Sequence, residues 1–248
     1  WLMADGTTLG ADDGIGVATA LAILDANDIE HGPIECLFTV DEETGLSGAS
    51  ALSPEALKSR ILLNLDSEDE GEIFIGCAGG VDTLAKLPFD KEETPAGAYF
   101  RIYVKGLKGG HSGDDINKGL GCANKLLNRI LWAADKEMDM RLATFDGGNL
   151  RNAIAREAYA DVVVMEQEAE DLKQLVAKYS DELKYEFRST EPNMQVGIEA
   201  IPTPEFVVDM LSQDNLLNVL YACPHGVLSM SREIPGFVET STNLASVK

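Results

Sequence analysis

Phe38-Thr39-Val40-Asp41-Glu42-Glu43-Thr44-Gly45 is the stretch on which the reading of this chain turns. An apolar run over 34–40 delivers three consecutive carboxylates and then stops at a glycine. A buried strand that ends in acids presents them where an open α/β sheet meets solvent, the usual ligand crevice of such sheets. On extended backbone, successive side chains point to opposite sides. Glu42 and Glu43 therefore cannot face one atom as a pair; one would ligate a cation while the other leans toward the water bound to it. A lone Asp-Glu-Glu more often closes a strand as a solvated turn, so its neighbours decide.

Those neighbours repeat the pattern. Upstream, Asp5-Gly6-Thr7-Thr8 reads as a turn into Leu9-Gly10-Ala11-Asp12-Asp13-Gly14, followed by a small-residue helix over 15–26. Asp12 or Asp13 stands where an acid caps a helix N-terminus. Capping explains one aspartate, not two with flanking glycines. Downstream, a short helix over 54–58 leads to an apolar strand over 60–65 that ends at Asp66, and a further strand over 72–77 runs into Ala78-Gly79-Gly80. This β–α–β alternation with near-continuous apolar strands predicts an α/β fold with a mostly parallel sheet covered by helices. Asp12, Glu42/Glu43 and Asp66 then stand at the ends of consecutive core elements. Such a set suits zinc, manganese or cobalt, and a carboxylate can bridge two such ions. Two ions about 3.5–4 Å apart serve metal-assisted hydrolysis, with a free glutamate as general base.

Charge agrees with a cation-loving first part. The net charge is −22. Residues 1–80 hold 16 acids against Lys58 and Arg60, whereas the acids and bases of 81–248 are nearer balance. A nucleic-acid or anionic-membrane partner would require a basic face, which this composition does not offer. Composition and charge change together after 79, so domains over 1–79 and 80–248 are expected. The second part reads as α+β, with strands over 98–104, 138–145, 158–165, 194–201 and 238–247. Its expected helices are 120–135, 167–184 and 203–211, and 91–97 is a polar linker. Cys36, Cys77, Cys122 and Cys223 are widely separated with no CxxC pair, which points to reduced thiols and a cytoplasmic setting. No apolar run approaches the roughly 18–20 residues of a bilayer span.

Three histidines occur. His31 lies in a polar turn and His225 in a Cys-Pro-His-Gly loop, both ordinary surface contexts. His111 differs, because Lys108-Gly109-Gly110-His111-Ser112-Gly113-Asp114 places an imidazole on exposed, glycine-rich backbone. Competing motifs fail. Asp66 to Gly71 has a glycine in the sixth place of a calcium loop, but Cys77 stands where a bidentate glutamate is required. Gly110-His111-Ser112-Gly113-Asp114 lacks the last glycine of a nucleophile elbow.

Taken together, these pieces carry a family resemblance. Leu9-Gly-Ala-Asp-Asp-Gly-Ile-Gly16, Asp41-Glu-Glu-Thr-Gly45, Asn64-Leu-Asp-Ser67, Gly109-Gly-His-Ser-Gly113, Gly148-Asn-Leu-Arg-Asn-Ala-Ile154 and Val238-Glu-Thr-Ser-Thr-Asn243 follow one another in the family's order. The chain resembles the co-catalytic-zinc metallopeptidases of the carboxypeptidase G and peptidase T type, and most of all their aminoacyl-histidine dipeptidase (peptidase D) branch. The glycine after Asp13 favours that branch over the tripeptidases. The resemblance implies dipeptide hydrolysis by a hydroxide bridging two divalent ions, most simply zinc. It makes Asp12 the bridging ligand, Glu43 and Asp66 ligands of one ion each, and Glu42 the general base. His111 resembles the lid histidine that reaches the partner subunit's active site to polarise the scissile carbonyl, and Asn152 a lid asparagine that contacts substrate. By the same resemblance 1–79 is part of the metal-binding catalytic domain, and 80–248 is a lid and dimerisation domain that forms a homodimer. The family's upstream His-x-Asp and its C-terminal metal-binding histidine have no counterpart here, so the chain is expected to be an internal segment with little activity alone. A related deacylase with the same metal centre, or a non-catalytic peptide-binding relative, would carry the same motifs.

Overall fold

The structure, a computed structural model, describes residues 5, 11–67 and 71–248, the side chains of 43 and 44 excepted. They fall into two units, Trp1–Cys77 and Ala78–Lys248. Residues 6–8 of the turn expected over 5–8 and the Glu43 side chain lie outside the described residues.

In the first unit the elements are helices α1 (Gly14–Asp25), α2 (Glu42–Gly45) and α3 (Ser47–Ser50). Helix α1 begins where Asp13 caps it, its carboxylate accepting the Gly16 N–H at 2.9 Å. The segment 54–58 is a turn and not the expected helix. It is tied back by Glu35, whose carboxylate accepts from Lys58 N and Ser59 N at 3.0 and 2.7 Å. The strands expected over 34–40, 60–65 and 72–77 correct in the same direction. Among the described residues no ladder hydrogen bond joins them, and no parallel pair exists. A strand is made by its partner. Without one, the apolar run Ile61 (82% exposed), Leu62 (78%) and Leu63 (81%) faces solvent on both sides.

The second unit runs β1 (Lys91–Glu92), β2 (Ala98–Lys105), α4 (Ala123–Glu137), β3 (Arg141–Gly147), β4 (Ala158–Val164), α5 (Ala169–Glu186), β5 (Gln195–Ala200), β6 (Val207–Val208), α6 (Met210–Ala222), β7 (Gly226–Met230) and β8 (Val238–Thr242). Alternation in β2 buries Phe100, Ile102 and Val104 and turns Tyr99, Arg101, Tyr103 and Lys105 to the other face. Antiparallel pairing gives the order β3-β4-β2-β5. Its register sets Arg101 opposite Asp161, closing a two-pronged ion pair at 2.7 and 2.9 Å. Helices α4 and α5 share one core with the buried face of the sheet, contributing Leu127, Ile130 and Leu131 from α4 and Leu172, Val176 and Leu183 from α5. Burying each such side chain contributes about 1.5–3 kcal/mol.

The α+β expectation holds here, with local corrections. The helix expected over 203–211 is instead β6 followed by the longer α6. Val207-Val208 pairs with β1, inside the stretch read as a linker, and Asp209 caps α6 by accepting Ser212 N at 2.9 Å. The polar run at 212–215 concealed that helix, because one of its polar residues, Gln213, is buried. Gln213 accepts Leu142 N and donates to Asp135 Oδ1 and Met140 O, pinning α6 to α4 and β3. At the other end of α6, Lys125 of α4 donates to the carbonyls of Leu220, Tyr221 and Cys223 at 2.7–2.8 Å.

Candidate functional site

Crowded carboxylates mark the first unit. Asp12 and Asp13 precede α1, and Asp66 closes the 60–65 segment, where Asn64 Oδ1 accepts the Asp66 N–H at 3.1 Å. Ligand-capable oxygens of Asp12, Asp13 and Asp66 lie within 4.8 Å of one another. Partial burial pushes the Asp66 carboxyl above the usual carboxylate range. A hydrogen bond with Asp12 adds to this, followed by the charges of Asp12, Asp13 and Glu42. A carboxylate that resists ionisation in this way is one that a nearby cation relieves. Its described donors are oxygens only, so it fits a divalent cation without selecting zinc, whose usual sites include nitrogen or sulfur.

Of the six residues singled out from sequence, Asp12 and Asp66 are brought together and Glu42 is near enough for its charge to bear on Asp66. Glu42 is not on extended backbone as expected. It opens the single turn α2, flanked by Asp41 at φ 56° and Leu46 at φ 58°. Side chains one residue apart on a helical turn diverge by about 100° and not by 180°. Asp13 is the member that sequence reasoning left as an alternative cap; it both caps and joins the cluster.

His111 lies in the second unit, half-exposed on the loop before Ile116. Its N–H donates to Asp115 Oδ2 at 2.6 Å, while Nδ1 faces Gly113 N at 3.2 Å and Asp114 Oδ2 at 3.2 Å. Lys118 and the His111 N–H hold the Asp115 carboxyl below its ordinary value. A β-carbon at Gly110 would meet the Asp115 side chain, so only glycine leaves room for that tie. The strand-like bridge from His111 to Ala153 sets Asn152 beside the loop, with Ser112 N donating to Asn152 O at 2.8 Å. Asn243 secures the far side, donating to the carbonyls of Arg151 and Ala153 at 3.3 and 2.8 Å. Asp115 and Asn243 were not singled out from sequence. Asn243 stood inside a quoted motif, but nothing in its spacing shows that it braces a loop ninety residues away. An open cleft of about 400 Å³ runs beneath the same loop, past Gly148, Leu150, Ala153, Arg156 and Tyr159.

The family model of the M20 peptidase dimerisation domain matches residues 96–191, from β2 to the turn after α5. The chain is thus similar to a peptidase dimerisation domain over those residues. Its likeness to peptidases extends well beyond that domain. Over all 248 residues it is 46% identical to the cytosol non-specific dipeptidase of Escherichia coli strain K12, covering 51% of that protein. The crystal structure of aminoacylhistidine dipeptidase from Vibrio alginolyticus superposes with a TM-score of 0.79 at 45% identity, covering 99% of this chain and 50% of that one. Peptidase T of Salmonella typhimurium is 46% identical over 70 residues, 27% of this chain and 17% of that protein. The chain spans about half the length of the curated dipeptidase it matches. The resemblance read from the motifs thus holds from end to end, and the mixed α/β architecture with its dimerisation domain is that of the solved relative.

Proposed function

We propose that this chain is part of a metal-dependent dipeptidase of the aminoacyl-histidine type. Residues 1–79 belong to its metal-binding domain and residues 80–248 to its lid and dimerisation domain. The observation that carries the reading is the convergence of Asp12, Asp13 and Asp66 to within 4.8 Å, in a chain 46% identical throughout to a dipeptidase. Asp12 and Asp66, with Glu43, would hold divalent cations, zinc in the first instance. Cations bound there supply Lewis acidity, polarising the scissile carbonyl and lowering the pKa of the attacking water. Glu42 takes the proton from that water at its carboxylate and returns it to the leaving amine. His111 would reach the partner subunit's active site and donate there to the oxygen on which negative charge develops, and Asn152 would contact the substrate. The dimerisation domain supports a homodimer, and four cysteines outside any disulfide agree with a reducing, cytoplasmic setting. Among the described residues no helix is long and apolar enough to cross a membrane.

Hydrolysis assays on the full-length protein separate this reading from a deacylase. Xaa-His dipeptides should be cleaved in preference to N-acyl amino acids. Preference for the N-acyl compounds, or no hydrolysis of either with divalent metal supplied, would overturn it.

A further inference from the structure

We infer that Asp13 is a positioning residue of the metal site, locked in place by Gly16, and that it is not a third ligand; the inference rests on the metal-binding reading of Asp12 and Asp66. Proximity alone would count Asp13 among the ligands, because its carboxylate lies in the same 4.8 Å cluster. What its two oxygens touch says otherwise. Oδ1 accepts the Gly16 N–H at 2.9 Å, and a β-carbon built on Gly16 would fall on Oδ2 first. Both oxygens therefore lie against the first turn of α1, in space that exists because residue 16 has no side chain. Gly16 is the one buried residue of α1. Asp13 is also joined to Asp12 through a single peptide unit, so fixing Asp13 on the helix fixes the backbone from which the Asp12 carboxylate reaches Asp66. A glycine inside a helix weakens it relative to alanine. Here that cost gives the site its anchor.

Co²⁺ binding to the full-length protein, followed by the visible absorption of the ion, distinguishes anchor from ligand. Asp13→Asn keeps an oxygen for the Gly16 N–H and nearly the same shape while losing the charge. It should bind Co²⁺ within about thirtyfold of wild type, the loss expected for one unit charge about 4 Å from a divalent ion in water-like surroundings. Gly16→Ala should weaken binding about 10–100-fold, as loss of a group that orients a ligand does, and Asp13→Ala should fall below Asp13→Asn by about the same factor. Circular dichroism of Gly16→Ala should show undiminished helix, since alanine is the better helix former. If Asp13→Asn loses as much affinity as Asp13→Ala, Asp13 is a ligand and the inference fails. Unchanged affinity in Gly16→Ala also overturns it. A wild-type protein that takes up no Co²⁺ refutes the metal reading itself, which is visible before any variant is compared.

Discussion

Replacing Asp66 by Asn should invert the usual relation between stability and a functional site. In the metal-free protein Asp66 lies near Asp12, Asp13 and Glu42, and its raised pKa records partial burial first, then a hydrogen bond with Asp12 and the repulsion of the three carboxylates. Like charges about 4 Å apart repel by about 1 kcal/mol in water and about 4 kcal/mol at an effective dielectric of 20. Asp66 is mostly exposed, so the lower end applies and removing its charge should stabilise the metal-free chain by about 1 kcal/mol. For a chain of this length that raises the melting temperature by about 2–4 °C. Metal reverses the order. A ligand at 100 times its Kd adds about 2.7 kcal/mol to the native state, or about 5–11 °C, and the variant lacking one ligand should gain little of it. Thermal unfolding of wild type and Asp66→Asn, each with chelator and with saturating Zn²⁺, reads both signs. A variant that melts lower without metal and keeps the full metal-induced rise would refute the reasoning, because Asp66 would then be neither crowded nor a ligand.

Three further outcomes follow from the same geometry. Glu42→Ala in the full-length enzyme should lower kcat by about 10²–10⁴ with metal content nearly intact; normal kcat in a metal-loaded variant removes Glu42 from proton transfer. His111→Ala should lower kcat on the order of 10²-fold through lost stabilisation of developing charge, and an unchanged rate would take His111 out of the site. Stability should fall on acidification through His225, where burial and then the Lys125 charge hold the imidazole below its ordinary pKa while Nδ1 accepts Leu244 N at 3.2 Å. Its contribution is complete above the unfolded value, about 6.5, and is lost as pH falls from there toward the lowered folded value, because the unfolded chain takes the proton first. His225→Gln should flatten that part of the stability–pH curve, measured by urea unfolding at a series of pH values.

How much was legible in the sequence depends on where each signal resides. Strand β2 and helices α4 and α5 were readable because their burial pattern is local: every second residue of β2, and Leu126, Leu127, Ile130 and Leu131 along α4, face one core. Helix α6 was misplaced because its packing face includes Gln213, a buried polar side chain whose partners, Leu142, Asp135 and Met140, lie about seventy residues away. The apolar segments of the first unit were read as strands from composition, but pairing is a property of two segments, and the described residues supply no partner. The site shows the same division. Asp12 and Asp66, singled out from their place at the ends of apolar elements, lie close together. The double role of Asp13 was not legible, since it depends on the room beside Gly16. Glu42 was expected on extended backbone and opens a helical turn instead, because nothing in Asp-Glu-Glu-Thr-Gly distinguishes an extended end from one helical turn.

In the proposed enzyme, carboxylates including Asp12 and Asp66 hold the metal on which dipeptide hydrolysis depends. The most direct test strips the full-length protein with chelator and follows hydrolysis of an Xaa-His dipeptide as Zn²⁺, Mn²⁺ or Co²⁺ is returned. Activity should be absent without metal and rise until two equivalents are bound, and Asp12→Ala should recover none of it. Turnover that survives complete metal removal, or returns unchanged in Asp12→Ala, would contradict the account.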